Sequence, residues 1–227
     1  MSPARHRPVW ARSFRHAAWV VTVLALTACA SGPKPPDWST NAVGHVERGT
    51  AAYLKGDGRV EAREFELARA ETARTGRPEL VARVELSRCA ARVASLDFAP
   101  CAGFEPLRPD ADEAERAYAR YLDGQAGAQD VARLPPQHRA VAGGGDSVAG
   151  IEDPLARLIA AGVLLRQSRA TPDTVARAVE TSSHQGWRRP LLAWLGVQAR
   201  LAEAGGDAAE AARIRRRMDL IQPADGR

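Results

Sequence analysis

The chain reads as all-α, a body of antiparallel helical hairpins, and three observations predict it. Alanine, arginine, glutamate and leucine dominate while aromatic residues make up only 5%, a balance that favours helices over strands. No segment sustains the apolar/polar alternation of period two that marks a half-buried strand. Proline, glycine and capping residues recur at intervals that parcel the chain into helix-sized pieces.

The first helix is expected from about Asn41 to Lys55, where Gly56-Asp57-Gly58 breaks it. A second runs from about Arg59 to Thr75 and ends at Gly76, and Pro78 opens a third that lasts to about Ser95. In "PDADEAERAYARYLDG" the residues Ala114, Ala117, Tyr118, Tyr121 and Leu122 form one apolar stripe, and acidic residues crowd the first turn, where they complement the helix dipole. Between Gly124 and Gly150 the pattern fails. "LPPQHRAVAGGGDSVAG" holds two prolines and a triple glycine, which reads as a long flexible connection. A fifth helix starts at about Asp153 with Leu155, Leu158, Ile159, Gly162 and Val163 on one face. Thr171-Pro172 caps and opens the next, another runs from about Trp187 to Ala204, and the last from about Asp207 to Ile221.

The expected organisation is therefore a leader over 1–28, a tether over 29–37, a helical half over 38–124, a flexible linker over 125–150 and a second helical half over 151–227.

The leader carries Arg5, Arg7, Arg12 and Arg15, then an apolar run from Ala17 to Ala28. A bilayer core of about 30 Å needs roughly 20 apolar residues, and "SGPKPPD" follows at once with residues that cannot continue a helix. Leu26-Thr27-Ala28-Cys29 resembles the lipobox of bacterial lipoproteins: an aliphatic residue, two small ones, then cysteine. The resemblance implies cleavage before Cys29 and acylation of Cys29, so that acyl chains attach the protein to a membrane; two or three such chains hold stably where one does not. Ala30 follows, where lipoproteins kept in the inner membrane of Gram-negative bacteria often carry Asp. By that analogy the protein belongs in the cell envelope, on the outer membrane and facing the periplasm.

Removing the leader's four arginines takes the net charge from +5 to +1. Arginine outnumbers lysine 30 to 2, yet in "RVEAREFELARAETAR" it is interleaved with acids, as on a salt-bridged solvent face. Nothing in that balance suggests nucleic acid as a partner. Besides Cys29, the chain holds Cys89 and Cys101. A turn from Asp97 to Pro100 could fold Cys101 back beside Cys89: two turns of helix retrace roughly 11 Å, and five extended residues span about 16 Å. A disulfide in an oxidising compartment is the leading reading, with two buried free thiols as the alternative.

Two places resemble tetratricopeptide repeats. Gly49, Gly56, Phe65 and Ala68 fall at that family's spacings, with Glu61 where the family has alanine; Ala199, Gly206, Ala211 and Pro223 do so again, with Arg215 in the aromatic place. The turn glycines Gly56 and Gly206 stand 150 residues apart, which is no multiple of the roughly 34-residue period. A continuous array is excluded. Repeat-like hairpins and alanine-rich hairpins that meet the pattern by chance both remain open. The former would leave a concave groove for a partner, with Tyr53, Phe65, Tyr118, Tyr121 and Trp194 as candidate contacts.

No residue set amounts to a catalytic, metal or cofactor site. Gly145-Asp146-Ser147-Val148 resembles the nucleophile block of GDSL-type esterases, but it follows a triple glycine and no Asp stands three residues before a histidine. Without a base a serine is a weak nucleophile. His45, His138 and His184 are scattered, with no i, i+4 pair. The expected function is a non-enzymatic lipoprotein that binds another envelope protein. The alternative is an envelope enzyme or enzyme activator, in peptidoglycan turnover or esterase-like chemistry, with a site not visible in sequence.

Overall fold

The computed structural model describes residues 34–222, so the leader, Cys29 and Pro223 lie outside the described residues. The elements are α1 (Asp37–Lys55), α2 (Gly58–Ala73), α3 (Pro78–Ala94), α4 (Glu113–Leu122), α5 (Pro136–Ala142), α6 (Pro154–Arg166), α7 (Pro172–His184), α8 (Arg188–Ala204) and α9 (Ala208–Ile221). Short 3₁₀ turns occupy Glu105–Asp110 and Val131–Arg133. Among the described residues there is no strand, and the all-α class stands as expected.

Local chemistry sets most of these boundaries. The carboxylates of Asp57, Asp153 and Asp207 accept from the backbone N–H of Val60, Ala156 and Glu210, and the Thr171 hydroxyl accepts from Thr174 N–H. Each satisfies a donor that has no partner inside its helix. Proline opens α3, α5, α6 and α7, where its missing N–H costs nothing. Gly56 and Gly206 turn the chain at φ +90° and +79°, a conformation that side-chain-bearing residues rarely adopt.

The first helix starts at Asp37, four residues earlier than expected. It packs on α2 where Gly49 lies against Phe65; a Cβ at Gly49 would stand 2.9 Å from the Phe65 ring. Ala68, fully buried, completes the first repeat-like pattern. Glu61 replaces the family's alanine for a visible reason: it is buried and accepts from Arg88 Nε at 2.5 Å, which ties α2 to α3. In the α8–α9 pair, Ile214 fills the core beside Ala211, while Arg215 in the aromatic place is exposed and pairs with Glu203.

Two halves joined by a flexible loop were expected, and the structure corrects this. From Asp37 onward the described residues form one compact unit. A single apolar cluster runs from Ala82 on α3 to Ile214 on α9. Helices α3 and α6 cross so closely that a Cβ at Gly162 would meet the Val93 carbonyl oxygen at 2.3 Å. Trp194 on α8 is fully buried and donates its indole N–H to the Ala94 carbonyl at 3.0 Å. Arg189 donates to the Tyr53 carbonyl at 2.9 Å and covers its ring at 4.3 Å.

The segment 125–150 is the other half of that correction. It carries two helical turns of its own and buries Asp130, Leu134, His138, Val141 and Val148. Asp130 receives both Nε and Nη2 of Arg120, at 3.0 and 2.6 Å, and the Gly127 N–H at 2.9 Å. Prolines and glycines here shape tight turns over the core, a use that composition does not distinguish from flexibility.

Cys89 and Cys101 form the expected disulfide, with Cα atoms 5.8 Å apart. It pins the turn after α3 back onto that helix. No helix among the described residues is long and apolar enough to cross a membrane.

Candidate functional site

Along α3, between α1 on one side and α4 and α6 on the other, the surface is hollowed. On α1, Val43, Val46, Thr50, Ala51 and Leu54 repeat at helical spacing along one wall. On α3, Leu80, Val84, Ser87 and Ala90 form the floor. Tyr118 of α4, Leu155 and Ile159 of α6, and Trp187 close the far side. Three hollows of about 300, 370 and 470 Å³ all border Ser87, so they lie side by side along α3 and are treated together as a groove. Small side chains on floor and wall keep it open, and Val43, 56% exposed, shows that the wall is both apolar and accessible.

The largest of these three hollows differs in character. Arg83, Glu115, Arg133 and Arg139 border it together with Leu86, Leu134, Pro135 and Pro136. Arg83 donates Nε to Glu115 Oε1 at 2.5 Å, an ion pair that links α3 to α4.

Behind Tyr118 lies an aromatic cluster. Tyr118 and Tyr121 stack with centroids 6.2 Å apart, and His138 sits 5.8 Å from the first and 4.9 Å from the second. The Tyr121 hydroxyl and His138 Nδ1 form a hydrogen-bonded pair at 3.2 Å. Burial drives both tyrosines well above their ordinary pKa and holds the His138 imidazole down at about 4, against a smaller opposing pull from Asp153. At neutral pH this cluster carries no charge.

Four of the five candidate partner contacts are core residues instead. Tyr53, Phe65, Tyr121 and Trp194 are between 0 and 5% exposed. Large aromatics bury so much apolar area that a chain with few of them spends them inside. Tyr118 alone of the five borders the groove, at two of its hollows. The contacts that sequence reasoning missed are aliphatic and small: Val43, Val46, Thr50 and Ser87. Their i, i+3, i+7 spacing on α1 was a readable second stripe, and only packing tells it from the first.

The histidines and Ser147 do not meet. His45 pairs with Glu64 at 2.7 Å and His184 lies beside Gln185. Ser147 is exposed, and its Oγ accepts from Ala149 N–H at 3.3 Å. Among the described residues no three His, Cys, Asp or Glu side chains converge as a metal site. No family model, curated protein or solved structure matches this chain.

Proposed function

We propose that this chain is a lipid-anchored protein of the cell envelope whose groove over α3 holds a segment of another envelope protein close to the membrane. The groove is the observation that carries this reading: an open apolar channel with a charged end, built on a rigid helical frame. The lipobox at Leu26–Cys29 supports the anchor, Ala30 supports the outer membrane, and the disulfide suits an oxidising compartment. The groove is a shape for binding, and the groups that border it include no nucleophile paired with a base.

The test places a photo-crosslinking residue at Val43 or Ser87 in the groove, and at Val60 or Leu220, exposed elsewhere. In cells, the groove positions are expected to capture one protein species that the other two do not. Equal capture from all four positions, or from none, would remove the groove from the argument. The anchor is checked separately by fatty-acid labelling, which Cys29→Ser is expected to abolish.

A further inference from the structure

The charged end of the groove has an unfilled requirement of each sign. Arg83 spends its Nε on Glu115, Arg133 donates to the Gln129 carbonyl, and Arg139 donates Nε to the Leu134 carbonyl at 2.8 Å. Neither Arg133 nor Arg139 has an ion-pair partner within 4 Å among the described residues, and Glu115 is the one acidic residue lining the hollow beside the three arginines, with Asp112 and Glu79 near Arg83 and Asp130 near Arg133 outside it. The Glu115 carboxylate is itself incomplete. Glu115 is only 5% exposed, and its Oε2 accepts no hydrogen bond. A buried carboxylate oxygen without a donor is costly and calls for an explanation.

We infer that this cleft receives the C-terminus of the partner polypeptide, its terminal carboxylate on the free guanidinium edges of Arg139 and Arg83 and its last amide N–H donated to Glu115. The inference deepens the groove reading and rests on it for the preceding residues, which continue past Ser87. A chain end suits the cleft because it carries an anion and an N–H donor on the same carbon. Inorganic phosphate offers an anion and a P–OH donor but nothing apolar for Leu86, Leu134 and Pro135, and an amine meets three like charges. An Asp or Glu side chain sets its carboxylate one or two bonds further from the amide. Leu86, Leu134 and Pro135 beside the charges favour an apolar last side chain, and a hollow of about 470 Å³ holds a residue or two.

The test uses the disulfide-intact protein and a fluorescein-labelled alanine peptide ending in leucine, with a free C-terminus or as its amide, followed by anisotropy. The free acid is expected to bind at least about tenfold tighter than the amide, the scale of one lost charge-assisted contact. Arg139→Gln is expected to remove that preference with only a small loss of thermal stability, from the bond to the Leu134 carbonyl, because the side chain is otherwise exposed. Glu115→Gln breaks the pair with Arg83 and is read only with its melting curve beside it. Equal binding of acid and amide, or of neither, overturns the inference. So does N-acetylleucine binding as tightly as the peptide, which would mark a site for free small acids, or inorganic phosphate competing as well as the acid. Groove crosslinks from Val43 that survive without any acid preference would leave the groove standing and sink this end-recognition alone. The reverse result would sink the groove and keep the cleft.

Discussion

Trp194 and Ala94, 100 residues apart in sequence, are joined by an indole N–H that donates to a helix-end carbonyl at 3.0 Å in the core. The bond fixes α8 against the end of α3, the helix whose other face forms the groove floor. Trp194→Phe keeps most of the apolar volume and leaves that carbonyl without its donor, so a loss of about 1–3 kcal/mol is expected. Trp194→Ala adds a cavity and is expected to cost about 3–5 kcal/mol. Urea unfolding measures both. Because one apolar cluster spans α3 to α9 and the smaller clusters of α1 and α2 include Ala91 and Val84 of α3, the transition is expected to stay single; two separate transitions would restore the two-halves reading.

Gly162 makes the same junction possible from α6. Its missing Cβ would press on the Val93 carbonyl at 2.3 Å, and backbone cannot swing aside as a long side chain can. Gly162→Ala is expected to destabilise by about 1–3 kcal/mol through overpacking. Gly58→Ala, in the first turn of α2 with nothing within 4 Å, serves as the control and is expected to be neutral or stabilising by up to about 1 kcal/mol. A tolerated Gly162→Ala would mean that the two helices are free to separate.

The helices themselves were legible from the sequence, because caps, prolines and turn glycines act within a few residues of the boundaries they set. Asp57, Thr171 and Gly206 each do what their type and position predict. What joins the helices was not legible. Glu115 reads as one more acid at a helix start, and its partner Arg83 lies 32 residues away. Asp130 sits in a stretch whose composition suggests a loose loop, yet Arg120 holds it in the core. Such pairs are decided by packing geometry, which no local pattern encodes.

The disulfide between Cys89 and Cys101 closes a short loop across a sequence separation of 12. Replacing both cysteines by serine is expected to lower stability by about 3 kcal/mol, mainly by freeing the unfolded chain. Thiol counting under denaturing, non-reducing conditions is expected to find neither sulfur titratable. Two reactive thiols in protein taken from an oxidising compartment would contradict the pairing.

His138 gives the fold a pH dependence of definite sign. Its folded pKa of about 4 lies below the ordinary 6.5, so the unfolded chain binds the proton more readily. Stability from this residue is therefore complete above about pH 6.5 and is lost as pH falls towards about 4, by at most about 3 kcal/mol. The depressed carboxylates, among them Asp130, act in the same direction but only below their own unfolded values near 4. The comparison of wild type with His138→Gln between pH 6.5 and 4.5 isolates the histidine. The variant is less stable at pH 7 and is expected to show a flatter profile; parallel profiles would mean that the imidazole is protonated within the fold.

The last prediction separates residues that hold the frame from residues that meet the partner. Tyr53, Phe65 and Tyr121 are enclosed by their own chain, so alanine at any of them is expected to cost about 3–5 kcal/mol and to weaken binding only in proportion to the unfolded fraction. Val46 and Thr50 stand on the groove wall, half-buried, with space in front of them. Val46→Arg places a charge in the channel at the expense of the packing of Val46 on Phe65, Ala68 and Val84, and is expected to lower the melting temperature modestly while abolishing the groove-specific crosslink in the protein that remains folded. Tyr118 borders the groove and also stacks on Tyr121, so Tyr118→Ala is expected to lower both stability and binding. Melting curves and crosslinking yields on the same five variants decide the matter. If Val46→Arg keeps the crosslink while Tyr121→Ala loses it in fully folded protein, the partner binds a different face, one that the aromatic core supports from behind.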